Sequence, residues 1–151
     1  WRKLREDIRS GAVVLSAADR KALAARYAEE LLAFDAELGR LFAALRERGV
    51  WDDTLVVLTS DHGEELAERG GIEHGHTMHE ELLHVPFLWK LPADWRRGRG
   101  RVDPTLVETR SLLPTLFDLV GQPVAPEVSA PSLLPAVAGR PLEAKPFEPP
   151  A

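Results

Sequence analysis

Residues 54–84 read TLVVLTSDHGEELAERGGIEHGHTMHEELLH, and the rest of the 151-residue chain is organised around this stretch. It holds all five histidines of the protein, at positions 62, 74, 76, 79 and 84. Histidine carries a proton near neutral pH and is a common metal ligand, so such crowding needs a chemical reason. Residues 55–58, Leu-Val-Val-Leu, form a short apolar run rich in β-branched side chains, which predicts a strand buried on both faces of a parallel sheet. Ser60, Asp61, His62 and Gly63 stand at its carboxyl end, where open α/β sheets build their ligand sites. A carboxylate and an imidazole side by side there, with Gly63 permitting a tight turn, can offer one oxygen and one nitrogen to a cation. Asp61 reads equally as the N-cap of a helical turn over residues 63–69, which Gly70 and Gly71 would end.

Working outward, Gly75 separates His74 from His76, so residues 70–77 read as a loop shaped around a site. Residues 78–83 predict a short helix that turns Leu82 and Leu83 inward, and residues 85–89 a strand that Pro86 either places at a sheet edge or begins. Upstream, Ser16 and Asp19 have capping-box spacing. They precede Leu23, Tyr27, Leu31, Phe34, Leu38, Leu41, Phe42 and Leu45, spaced by threes and fours as on one face of a helix reaching Arg48, with Gly49 as its left-handed stop. That stripe predicts core packing, and Asp35 in the same helix reads as a solvated turn residue ahead of a polar contact to the neighbouring strand. Residues 1–15 read as a connecting segment or the tail of an upstream element. Residues 91–102 form a basic loop, better explained as solvated surface than as a phosphate contact. Residues 104–120 show a helical pattern with Pro114 starting the second of two short helices. From Gln122 onward the chain is proline-rich and predicts irregular structure, ending in a tail over residues 140–151.

Composition narrows the choice of partners. With 44% hydrophobic and 28% charged residues the chain can bury a core, and its net charge of −5 provides no basic footprint for nucleic acid. No apolar run is long enough to predict a membrane span. The absence of cysteine removes disulfides and thiolate metal sites but leaves the compartment open, periplasmic, extracellular or cytoplasmic alike. The chain begins at Trp1 without a signal-peptide pattern, as expected of a portion of something longer.

Three groups of residues together resemble a known family. They are Asp35, Leu38-Gly39, Leu41, Leu45 and Gly49; then residues 53–64, DTLVVLTSDHGE; then residues 74–86, HGHTMHEELLHVP. A weaker continuation lies at Pro114-Thr115-Leu116, Asp118-Leu119, Gly121 and Ser132-Leu133-Leu134-Pro135. In this order and spacing they are similar to the carboxyl-terminal part of the sulfatase catalytic domain, in the alkaline phosphatase superfamily. The resemblance implies an α/β fold, an incomplete portion of a mostly parallel sheet flanked by helices, with residues 16–139 as the family portion. It implies Asp61 and His62 as ligands of a divalent ion, calcium first and manganese or zinc as alternatives. His74 is the implied catalytic residue that meets the substrate anion, with His76 a second candidate for substrate binding. His79 stands where the family more often has tyrosine, and no role is carried to it. His84 is expected to be structural.

Other chemistries fit less well. A zinc-protease helix needs His at i and i+4, whereas His79 and His84 are five apart; the inverted form fails at His76, and no G-x-S-x-G elbow occurs. Sulfate and phosphate esters are anionic, so their cleavage needs positive charge at the oxygens and an activated nucleophile. The resemblance places that nucleophile, a Cys or Ser converted to formylglycine in true sulfatases, and the paired acidic ligands upstream. This chain contains neither a cysteine nor a Ser-x-Pro-x-Arg sequence. The expectation is a portion of a sulfuric ester hydrolase, inactive alone, whose partners are a small sulfate or phosphate ester and the missing amino-terminal part of its own domain. The alternatives are a phosphodiesterase, phosphonate hydrolase or phosphoglycerol transferase of the same superfamily, and a noncatalytic module that only binds metal.

Overall fold

A computed structural model describes residues 2–95, 100, 102–125 and 127–138. The chain divides into two compact units, residues 1–52 with 58–87, and residues 53–57 with 88–151. Among the described residues, five α-helices and four strands run in the order α1 (Arg2–Arg9), α2 (Ala17–Glu47), β1 (Val56–Thr59), β2 (Glu65–Leu66), β3 (Ile72–Glu73), α3 (Glu80–Leu83), β4 (Phe87–Lys90), α4 (Leu112–Leu119) and α5 (Leu134–Val137). β1 pairs with β4, and β2 pairs antiparallel with β3, each as a two-stranded sheet.

The first unit is built on the β2–β3 hairpin. Its register sets Glu65 opposite Glu73 and Leu66 opposite Ile72. This hairpin replaces the helical turn expected over residues 63–69. The backbone reverses through Ala67 and Gly70, both at positive φ, and local helical spacing cannot compete with a turn that lets Ala67 and Ile72 bury together. Ile8 of α1 completes their cluster, with Val13, Leu15 and Leu23 packed against it. The opening residues thus fold as a helix on the hairpin. Arg5 and Arg9 of α1 also reach Glu73 at 2.5 and 3.5 Å, neutralising the carboxylate that faces Glu65 across the strands.

α2 starts as its sequence requires. The Ser16 hydroxyl and backbone N–H both donate to Asp19 Oδ2, at 2.6 and 2.9 Å, while Asp19 N–H donates back to Ser16 Oγ at 3.1 Å. Gly49 ends the helix at φ +70°. The core role expected for its apolar stripe holds only in part. No α2 residue is fully buried; Leu23 packs against the hairpin cluster and Leu38, Phe42 and Leu45 are half-buried, whereas Leu31, Phe34 and Leu41 are about half exposed.

β1 lies one residue later than its apolar run and is half-buried rather than enclosed on both faces. β4 starts just after Pro86, as expected. Leu82 points inward from α3, but Leu83 does not, at 59% exposure; four helical residues present one inward position only. In the second unit Lys90 Nζ donates to the Thr54 carbonyl at 2.8 Å. Pro114 stands in the first turn of α4, next to a 3-10 turn over Thr109–Ser111. Fully buried Thr115 donates to Ser111 O at 2.6 Å and accepts from Leu133 N–H at 2.8 Å. That clasp is followed by α5, a turn not expected in the proline-rich stretch. Part of the basic loop, at 96–99 and 101, and the tail at 140–151 lie outside the described residues.

Candidate active site

The site follows β1 directly and lies within the first unit. Asp61 caps no helix. Its Oδ1 accepts from the His62 N–H at 3.0 Å, and Ser60 Oγ donates to the His62 carbonyl at 2.7 Å, so two short-range bonds fix the backbone beneath the imidazole. Gly63 is needed for close approach rather than for an unusual φ. Its N–H donates to Leu82 O at 2.8 Å, and a Cβ placed there would stand 2.0 Å from the Glu81 carbonyl oxygen. The strand-end loop is thereby pressed onto α3.

His62 Nδ1 lies 2.8 Å from the Gly63 carbonyl, an acceptor, so Nδ1 is the donor in that contact. Its Nε2 stands 3.8 Å from Asp61 Oδ2, too far for a hydrogen bond. A gap of this size suits two donors about 2.0–2.2 Å from a shared ion. The ring of His74 stacks on His62 with centroids 3.9 Å apart. Glu64 holds His74 in turn, with Oε2 at 3.2 Å from Nδ1. Asp61, His62 and His74 are thus brought near one another, all exposed to solvent, Asp61 the most at 88%.

His76 does not join them. It lies exposed beyond Gly75 and lines a different cleft with Thr77 and His79. His79 is the N-cap residue of α3, with Nε2 at 4.0 Å from the buried carboxylate of Glu65. His84 is exposed, 3.7 Å from Glu80 Oε1. Sequence reasoning misses Glu64; the signal for it is a carboxylate directly after Asp-His-Gly, on the segment that leads into the hairpin returning to His74. Glu81 is held below the usual glutamate range by its own backbone N–H and by Arg69, 3.2 Å away, which keeps α3 anchored beside Gly63. Among the described residues no group of three or more His, Asp or Glu converges closely enough to enclose a metal ion.

A carboxylate and an imidazole thus stand at a strand end, with a second imidazole stacked alongside. The chain belongs to the sulfatase family of the alkaline phosphatase superfamily, whose family model matches residues 6–122. It is 35% identical over 121 residues to the multifunctional alkaline phosphatase superfamily protein PehA of Trinickia caryophylli, covering 78% of this chain and 23% of that protein. Arylsulfatase K of Bos taurus is 36% identical over 102 residues, 68% of this chain and 18% of the enzyme. Among solved structures, a phosphonate monoester hydrolase from Silicibacter pomeroyi superposes with a TM-score of 0.62 at 33% identity, covering 76% of this chain and 21% of that one. The chain therefore spans about a fifth of the length of these relatives, and it shares their sulfatase-like α/β fold.

Proposed function

We propose that this chain supplies the strand-end half of a metal-dependent ester hydrolase centre, acting on a sulfate ester. Asp61 and His62 are its metal ligands and His74 its substrate-side residue. The observation that carries this is the 3.8 Å gap between His62 Nε2 and Asp61 Oδ2, with the His74 ring stacked at 3.9 Å. Asp61 and His62 fit half of zinc's four-ligand sphere and a third or less of calcium's, which takes six to eight ligands. A bound divalent ion would polarise the ester oxygens and lower the pKa of its attacking group. The chain's own residues do the rest. The Gly63 carbonyl fixes the His62 ring, and Glu64 orients His74 so that Nε2 can donate to the anion or to the leaving oxygen. With no cysteine, no Ser-x-Pro-x-Arg and two ligands, the 151-residue chain turns over nothing by itself.

A phosphonate or phosphate ester is the second candidate substrate. It is supported by His62 in place of the asparagine found in many sulfatases and by the likeness to the phosphonate monoester hydrolase. Imidazole beside carboxylate also suits manganese or zinc better than calcium, whose usual donors are all oxygen.

Calorimetric titration of the chain with manganese, zinc and calcium tests the ligand assignment. The expected result is weak binding that Asp61→Ala and His62→Ala each reduce by at least about tenfold, as loss of one of two ligands should. Tight binding unchanged by either substitution would place the metal elsewhere and overturn the assignment.

A further inference from the structure

His74 stands between two left-handed residues, Glu73 at φ +68° and Gly75 at φ +82°. Glycine takes that conformation freely, whereas a residue with a Cβ is strained by it and persists there only where its surroundings over-determine it. At Glu73 those surroundings come from α1. Arg5 Nη1 and Arg9 Nη2 stand 2.5 and 3.5 Å from the same carboxylate oxygen, and all three side chains are mostly shielded from solvent. Arg5 Nε is buried without a hydrogen-bond partner, a cost that Arg5 bears while its other end stays on Glu73.

We propose that Arg5 and Arg9 are positioning residues, which act through Glu73 to set the ring of His74 over that of His62. The functional consequence rests on His74 as the substrate-side residue. A continued strand would carry residue 74 onward with its side chain alternating between the two faces. The left-handed bend at Glu73 breaks that alternation just before His74, whose ring centroid lies 3.9 Å from that of His62. Glu64 holds the ring at Nδ1, and Glu73 holds the backbone from which the ring springs. Were the bend the only requirement, glycine would serve at 73 as it does at 75. Were fastening α1 to the hairpin the only requirement, the Ile8, Ala67 and Ile72 cluster would already meet it. Without the arginines, Glu73 would also face the buried carboxylate of Glu65 across the strands, and like charges in that register push a pair apart.

The test is proton NMR of the full chain, in EDTA at one neutral pH, reading the cross-peak between the His62 and His74 rings. Arg5→Met combined with Arg9→Met is expected to weaken it several-fold. Arg5→Lys combined with Arg9→Lys, which keeps both charges, is expected to retain it. Glu73→Gly should weaken it as well, although glycine relieves the strain; a role in the bend alone predicts that the cross-peak survives. Circular dichroism and the methyl signals of Ala67 and Ile72 check that each variant keeps its hairpin, and Glu73→Gly serves if the methionine variant fails to fold. An unchanged cross-peak in either folded variant would overturn the proposal, and so would an equal loss in the lysine and methionine variants. Failure of Asp61 and His62 to bind metal in calorimetry would leave these signals as expected, so the two readings fail separately.

Discussion

At Gly63 a hydrogen atom in place of a methyl group decides whether the loop after β1 can sit against α3. A methyl group here would lie 2.0 Å from a backbone oxygen, and no side-chain rotation relieves that clash, because Glu81 O and Leu82 Cα both belong to the backbone. Gly63→Ala therefore forces the Asp61-His62 turn and α3 apart. Urea unfolding should show a loss of about 1–3 kcal/mol, the usual cost of overpacking against fixed structure. The ring-current shift between His62 and His74 should change with it, since His62 hangs from the Gly63 carbonyl. A loss under about 0.5 kcal/mol with unchanged imidazole shifts would show that α3 does not hold the site. Residue types alone mark the histidine-rich stretch and leave Asp61 evenly divided between metal ligand and helix cap; it is the family resemblance that singles out Asp61, His62 and His74. Glu64 and the stacking of the rings are not legible. They depend on the hairpin bringing residue 74 back to residue 62, and sequence spacing does not encode that distance.

Among the elements, α2 is the most legible, since both of its boundaries are written in local chemistry. The Ser16–Asp19 box and Gly49 act over a few residues and need no tertiary partner. The hairpin is least legible, because its two-residue strands pair through burial of Ala67 and Ile72 against Ile8, some sixty residues earlier. The cap yields a pH prediction. The Ser16 hydroxyl, first, and the Ser16 backbone N–H hold the Asp19 carboxyl below its ordinary value. A depressed carboxylate pKa gives stability that is present above the unfolded value, about 4, and is lost as pH falls through the folded value. Helix content at the start of α2 should therefore hold down to about pH 4 and decline below it. Ser16→Ala should remove that step in helicity measured by circular dichroism between neutral and acid pH. An identical acid profile in wild type and variant would show that the box contributes nothing.

On the scale of the whole molecule, buried apolar surface is scarce. Among the described residues the buried apolar side chains are Ile8, Ala67, Ile72, Leu82, Pro114 and Leu133, whereas Tyr27, Leu31, Phe34 and Leu41 leave part of the α2 stripe exposed. Hydrophobic burial is the main term opposing chain entropy, so a small core predicts marginal stability for the isolated chain. The periodicity of the stripe is readable, but its burial is not, because periodicity reports which side chains share a face and not whether anything covers it. The two possibilities separate experimentally. On an exposed face, Leu31→Lys together with Phe34→Lys removes almost no packing. The pair should change unfolding free energy by no more than about 0.5 kcal/mol each, while lowering the binding of a hydrophobic dye. On a covered face the same charges would be buried without partners and should cost several kcal/mol, on the order of 3 or more. The exposure of Leu31 and Phe34 commits the 151-residue chain to the first outcome, and a large destabilisation would mean that the stripe is covered in solution, as its spacing first suggested.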